Sequence, residues 1–299
     1  MLRYEYNLII ITCSLILILL PVDGSAQSGN KDALHVDDSS KTELKTTDHS
    51  FYAGTGFGSN MIYLGSTISR NQPYFYGNLT YGLKNKFYAS VSPVHLSGSD
   101  PFLAFYIGAL NYNHTFNSWF DIAVGTYRYQ VPTSLSDTLF SSFTYGDLSL
   151  GFDWNLLYTK LTLGGLISEE NQVYFQLRNS RYFQTPDFFK DKASISFDPY
   201  FNLLLGTLIK VETSEETKVI ATSPGRKWKK YRNQGTVPSL SYLKKFGMME
   251  IDFGIPISFN TDKFSIEAEL NYTLPLSENQ VNPGPKGFVF LLSAFIRIH

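Results

Sequence analysis

From residue 50 onward, apolar and polar side chains alternate with period two. In FSIEAELNYTL (264–274), Phe264, Ile266, Ala268, Leu270, Tyr272 and Leu274 share one face. Ser265, Glu267, Glu269, Asn271 and Thr273 share the other. The preceding run sets Met249, Ile251, Phe253, Ile255 and Ile257 against Met248, Glu250, Asp252, Gly254 and Pro256, and NTDK between the two runs reads as a hairpin turn. Each is a strand with one apolar and one polar face. Comparable alternation predicts strands at 51–69, 73–83, 86–95, 101–114, 118–129, 142–154, 156–167, 171–183, 193–211, 245–258, 263–274 and 287–298. Gly54, Gly56 and Gly58 mark a place where the first strand bends or divides in two.

Many of these strands exceed the roughly 5–6 residues usual in globular sheets and match the roughly 9–11 of a tilted membrane strand. The connections add a second regularity. Links after the second, fourth, sixth and tenth strands are tight (LKNK, TFN, NL, NTDK), and those after the third, fifth, ninth and eleventh are long (LSGSDP, QVPTSLSDTLF, residues 212–243, SENQVNPGPK). Alternation of short turns with long loops is the habit of outer-membrane barrels. The first and seventh links are short where long is expected, and the eighth, FQTPDFFKDK, is long where short is expected. Aromatic residues crowd the tight turns as an interfacial girdle would: Tyr81 and Phe87, then Phe116, Trp119 and Phe120, then Trp154, then Phe259 and Phe264. A soluble β-sandwich also alternates, but strand length, an even strand count and loop asymmetry stand against it. The expected fold is all-β: a transmembrane antiparallel β-barrel of about twelve strands, with ten or fourteen as alternatives.

Residues 1–26 read as a signal peptide, with Arg3, an apolar stretch from Leu8 to Leu20, and Gly24-Ser25-Ala26 as a cleavage site. Residues 27–49 have almost no large apolar side chains and read as a flexible periplasmic tether, leaving 50–299 as the barrel. An even strand count then puts the N-terminus in the periplasm and the barrel in the outer membrane of a Gram-negative bacterium. Charged residues are 17% of the chain against about 25% in ordinary domains, and the net charge is −1, so there is no bulk positive charge to recruit nucleic acid. The one cysteine, Cys13, excludes a disulfide framework.

FYAGTGFGSNMIYLGS, YNHTFNSWFD, FTYGDLSLGFDW and GPKGFVFLLSAFIRI together resemble outer-membrane β-barrel proteins of the Bacteroidetes type, and the likeness covers nearly all of residues 50–299. It implies location and fold, with outer-membrane lipid and the barrel assembly machinery as partners. It supplies no activity.

No nucleophile elbow, zinc helix motif, phosphate loop or dinucleotide fingerprint occurs, and no metal or cofactor is expected. His95, Ser97, Ser99 and Asp100 share one loop, but HLSGSDP is also ordinary turn composition, and no enzyme activity is expected. On the polar faces, pairing Phe259 with Asp262 sets Asp252 opposite Glu269, with Glu250 and Glu267 diagonal to them. Four carboxylates so placed repel unless cations or protons intervene. Lys160, Arg178, Lys210 and Arg297 are inward counter-charges. The set reads as a salt-bridge network bracing the wall or as a cation-preferring constriction. Tyr127, Tyr145, Tyr158, Tyr174 and Tyr200 point inward, able to close or narrow a lumen of this size. Arg226, Lys227, Lys229, Lys230 and Arg232 surround Trp228 in a segment suited to lipopolysaccharide phosphates or to plain solvation. Three functions follow: a small channel or transport-related barrel first, then a structural or surface-binding barrel with a filled lumen, then a lipid-modifying enzyme.

Overall fold

The structure, a computed structural model, describes residues 49–136, 138–167, 171–189, 192–212, 217–221, 241–276 and 286–298. The signal segment, nearly all of the tether, and the basic segment Arg226, Lys227, Trp228, Lys229, Lys230 and Arg232 lie outside these residues. The strands in chain order are β1 (His49–Gly58), β2 (Ile62–Tyr63), β3 (Ser66–Thr67), β4 (Tyr74–Leu83), β5 (Phe87–Leu96) and β6 (Phe105–Asn117). They continue with β7 (Phe120–Gln130), β8 (Phe143–Asp153), β9 (Tyr158–Ile167), β10 (Gln172–Ser180), β11 (Phe183–Gln184) and β12 (Ala193–Phe197). The last are β13 (Tyr200–Glu212), β14 (Thr217–Ala221), β15 (Ser241–Thr261), β16 (Phe264–Pro275) and β17 (Gly287–Arg297).

Twelve staves, β1, β4 to β10, β13 and β15 to β17, pair antiparallel in that order, and β17 returns to β1 from Tyr52↔Arg297 to Gly58↔Leu291. Closure satisfies the backbone groups that an open edge would leave bare in lipid. The outward side chains form an apolar belt: Leu79, Val91, Leu110, Val124, Leu148, Leu163, Ile255 and Leu270 are all exposed. No water-soluble surface tolerates a continuous belt of that kind, so the belt faces lipid. At the end that carries the tight turns, rings meet in pairs: Phe87 with Tyr112 at 4.7 Å, Phe116 with Phe120 and Phe120 with Phe152 at 5.4 Å, and Phe152 with Trp154 at 6.0 Å. We call this the turn end and the opposite one the loop end.

Three expectations change. The first predicted strand stops at Gly58; residues 59–73 turn inward as the β2–β3 hairpin, so the first link is long after all. The eighth link shortens to 185–192, because β11 continues the β10 ladder and β12 continues that of β13. Both β12 and β13 pair with β15 in one register, Phe197↔Ile257 and Tyr200↔Gly254, with only Asp198 and Pro199 interrupting. Proline has no N–H to give the ladder, hence the break. Finally, the hairpin at NTDK pairs Asn260↔Ser265 rather than Phe259 with Asp262. Thr261 Oγ1 accepts from the N–H groups of Lys263 and Phe264, which widens the turn. Asp252 therefore faces Thr273, and Glu269 faces Pro256. The slip is even, so every face is preserved.

A β-bulge alters one face. Leu204 pairs with Glu250 but Leu205 pairs with Met248, leaving Met249 as the extra residue. Met249 consequently turns inward and is buried, while Met248 is exposed, the reverse of the simple alternation.

Candidate functional site

The loop-end half of the lumen is packed with apolar side chains. Inward residues Val94, Leu96, Phe105, Tyr129, Phe143, Leu166 and Leu204 meet Ile68 of the inner hairpin and Phe140 of the connection after β7. Tyr63 stands at the centre, with ring centroids 4.9 Å from Tyr129 and 5.6 Å from Tyr145. Burial, with Tyr129 and Tyr145 beside it, holds the Tyr63 phenol well above its ordinary pKa, so it stays neutral at physiological pH. Phe140 packs against Phe105 at 5.2 Å and Phe143 at 5.6 Å. The hairpin is held by its own polar groups: Asn60 Oδ1 accepts from Thr67 Oγ1 and from Ser69 Oγ, both at 2.7 Å, and Ser69 Oγ accepts from the Met61 N–H. Leu64 and Gly65 both have positive φ, +49° and +76°, as a two-residue I′ turn requires.

Beneath this plug lies a polar chamber of ≈ 740 Å³. Its roof is Tyr63, Leu64 and Gly65, and its wall reaches Asn113 and Lys160 toward the turn end. The inward tyrosines predicted from parity do point inward, yet they leave this space because many lie flat against the wall over a glycine of the neighbouring stave. Tyr145 covers Gly164 and Tyr174 covers Gly206, each ring where a Cβ would collide, and Tyr74, outside the predicted set, covers Gly58 in the same way. Gly254 does this for Tyr200: a Cβ there would stand 2.3–2.5 Å from the ring and hydroxyl. Tyr200 thus crosses β15 to reach β16, donating to Glu269 Oε1 at 2.6 Å and accepting from Asn271 Nδ2 at 2.8 Å.

One row of the wall carries three of the expected charges, Lys160, Arg178 and Asp252. Lys160, Arg178, Asn202, Asp252 and Thr273 pair in succession across five staves. With adjacent strands about 4.8 Å apart, Arg178 and Asp252 have backbones about 10 Å apart. Arg178 lies 4.0 Å over the Tyr200 ring and 3.9 Å from Asp198. Asn202 Nδ2 donates to Asp252 Oδ2 at 2.9 Å, and Glu250 follows Asp252 as the next inward residue of β15. The chamber wall includes Glu250, Asp252, Glu269, Lys160 and Arg178. Glu267 is held apart at 2.7 Å by Ser258 Oγ, and Arg297 is exposed at the turn end, its N–H bonded to the Lys263 carbonyl, so neither belongs to the cluster. The Lys210 side chain lies outside those described.

His95 faces outward at the end of β5. Its ring stacks on Phe102 at 4.3 Å, and Nδ1 meets the Phe102 carbonyl at 2.5 Å. Ser99 N–H closes a turn onto the Leu96 carbonyl, and Ser97 N–H reaches the Pro73 carbonyl. The loop brings His95 to Phe102, and does not hydrogen-bond it to Ser97 or Ser99.

Sequence reasoning missed the inner hairpin, the neutral members of the row, Asn202 and Thr273, and Asn271 beside it. A signal for the hairpin was present: Met61, Ile62, Tyr63 and Leu64 are too apolar for an external loop. Inward glycines at 58, 164, 206 and 254 likewise announce where rings can lie.

No family model and no curated protein matches the chain. Among solved structures, NanC porin resembles it at 8% identity and TM-score 0.43, over 82% of this chain and 98% of that one. LpxR from Salmonella typhimurium does so at 6% and 0.42, over 82% and 99%. An outer membrane channel from Pseudomonas putida F1 does so at 10% and 0.42, over 88% and 100%. These likenesses are too distant to carry a function across.

Proposed function

We propose that the protein is a closed barrel of the Gram-negative outer membrane, a binding barrel with a filled lumen rather than an open channel. The observation that carries this reading is the inner hairpin, which puts Tyr63 and Leu64 into the lumen among the buried rings of Tyr129, Phe143 and Tyr145. A dry plug of this kind blocks water and ions at the loop end. The polar chamber beneath it then serves solutes arriving from the turn end. Both β1 and β17 have their outer ends there, which supports assigning the N-terminus and the tight turns to the periplasm. Lipid surrounds the apolar belt.

The protein performs no covalent chemistry in this reading. The hold of Phe102 on His95 supports it, since a general base for Ser97 needs that imidazole within hydrogen-bond reach. His95→Ala and Ser97→Ala should each leave lipid A and phospholipid acylation unchanged by mass spectrometry; an acyl change that appears with the wild-type barrel and vanishes with either variant would promote the enzyme alternative.

The decisive measurement is conductance. Purified wild-type protein in planar bilayers should show no single-channel steps. Regular steps would restore the channel reading and discard the plug. Proteolysis of intact cells should cut within 213–240 and spare the tether; the opposite pattern would invert the orientation.

A further inference from the structure

The lipid-facing wall holds one charge without a counter-charge. On the outward faces of β4 to β10, Arg128 is the one Lys, Arg, Asp or Glu side chain among the described residues, and it is exposed. Neutral neighbours hold it against the sheet. Its Nε and Nη2 donate to Gln130 Oε1 at 3.3 and 3.1 Å, and Nη1 donates to Thr144 Oγ1 at 3.1 Å. A guanidinium has five N–H groups in a planar fork. Three are occupied, and one remains on each terminal nitrogen. Among the described residues no carboxylate pairs with Arg128. Its depth says what can. Arg128 stands eight residues along β7 from Phe120 of the turn-end girdle. At about 3.3 Å per residue and a tilt of about 40°, that is roughly 20 Å toward the loop end, in a belt about 25 Å tall. Tyr106, outward and exposed, pairs with Gln130 just beyond it, as an interfacial aromatic would. The guanidinium therefore lies at the headgroup edge of the leaflet, where a charge is tolerated and lipid phosphates are in reach.

The wall beside this fork is sunken. Gly108 pairs directly with Arg128, and a Cβ there would meet nothing within 4 Å. One position turnward, Gly146 pairs with both Thr126 and Gly165, and Cβ atoms at the two glycines would come no closer than 3.7 and 3.9 Å to any atom. Leu148, Leu163 and Ile167 stand exposed around them. The result is a shallow trench, open to lipid, that runs from the guanidinium into the belt. A phosphate matches the fork, because two of its oxygens can accept from the two free N–H groups at once. An acyl chain attached to it matches the trench. A second copy of the chain is the poorer fit, since the same face would bring no carboxylate to Arg128. We propose that Arg128 holds the phosphate of an outer-leaflet lipid against the wall of the barrel, with one acyl chain lying over Gly108, Gly146 and Gly165. This rests on the orientation given above, which turns the loop end outward, and it names the lipid chemistry met there: the phosphate of lipid A.

The test uses the full barrel refolded in detergent, with folding checked by heat-dependent gel mobility. Native mass spectrometry with diphosphoryl lipid A should show one lipid retained per barrel. Lipid A stripped of its phosphates should bind at least about tenfold more weakly. Arg128→Gln should weaken diphosphoryl lipid A about tenfold. Arg128→Lys, which keeps the charge and loses the fork, should weaken it about threefold. Gly146→Leu fills the trench without touching the charge and should also weaken it about threefold, which decides the matter if the arginine variants do not fold. Retention that is equal in the wild type, Arg128→Gln and Gly146→Leu overturns the proposal. So does equal retention of the phosphate-free lipid, or a lipid-free dimer that Gly146→Leu breaks. Inorganic phosphate that binds as tightly as lipid A would leave no part for the acyl chain, and overturns it too. Proteolysis of intact cells at the tether defeats the orientation, and the choice of lipid with it. A barrel oriented as proposed that retains lipid A without regard to Arg128 defeats only this inference.

Discussion

The two halves of the lumen are built on the same staves and end in opposite conditions. At the loop end, Val94, Leu96, Phe105, Phe143 and Leu166 are buried against the inner hairpin and Phe140. Toward the turn end, the same strands turn Ser90, Ser92, Asn111, Ser149 and Thr162 inward, and space remains. Both halves contain tyrosines, so aromatic bulk is not what closes a barrel of this size. What differs is the partner of each ring. Tyr63 reaches into the lumen to meet Tyr129 and Phe143, a stacked pair on adjacent staves, while Tyr200 lies along the wall over Gly254 and spends its hydroxyl on β16. Tyr145 does both, covering Gly164 while its ring meets the edge of Tyr63, and so marks the border between the two halves.

The largest test removes the plug. Replacing residues 60–72 with three glycines takes the inner hairpin away and leaves every stave intact. The variant should show single-channel steps where the wild type shows none. A barrel that stays shut would assign closure to the connection after β7 and the inward rings alone. The next tests take one ring at a time from the packed half. Phe140→Ala and Tyr63→Ala should each cost about 3–5 kcal/mol in urea unfolding, the usual loss for a buried aromatic in a close-packed core. Ser92→Ala in the polar half should cost about 1 kcal/mol or less, since it removes a single hydrogen bond from Asn78. Equal losses in both halves would erase the distinction drawn above.

Much of this was legible in the sequence, for a physical reason. Lipid on one side and lumen on the other impose a strict period of two, so the staves, the belt and the inward direction of Tyr145, Tyr174, Glu250, Asp252 and Arg178 follow from parity alone. Parity survives an even slip, which is why Asp252 kept its face while its opposite residue changed from Glu269 to Thr273. It does not survive a bulge. Met249 carries no mark that it is the extra residue; the bulge shows only when β13 and β15 are paired. The inner hairpin was half legible for a different reason: the unbroken apolar run Met61 to Leu64 is unfit for an external loop, but its direction into the lumen is a tertiary fact. The charge cluster was half legible. Its acids and bases were found by sign and parity, while the neutral oxygens of Asn202, Asn271 and Thr273 carry no such label.

A smaller effect probes the ring-over-glycine device. Gly254→Ala places a Cβ where the Tyr200 ring now lies. The phenol must swing into the chamber, losing its bonds to Glu269 and Asn271. The expected cost is about 1–3 kcal/mol, as for overpacking elsewhere. Tyr200→Phe should lose about 1 kcal/mol, because the ring stays and only its hydroxyl goes. If the two variants are equal, the hydroxyl and not the ring sets the chamber wall.

The smallest effect concerns what shapes the plug. Leu64 holds φ at +49°, a conformation costing a non-glycine residue about 1–2 kcal/mol, and it is followed by Gly65 at +76°. Asn-Gly is the preferred pair for such a turn, so Leu64→Asn relieves backbone strain. It also gives up the contacts of a half-buried leucine against the core, worth about 1 kcal/mol at partial burial. The two terms nearly offset, and the urea midpoint of Leu64→Asn should stay close to that of the wild type, with the barrel still closed in bilayers. A loss of about 2 kcal/mol or more would mean that the leucine side chain anchors the hairpin and the turn merely tolerates it. A clear gain would mean that the turn geometry holds the plug in place, and that Leu64 is retained as the apolar roof of the chamber at the expense of stability.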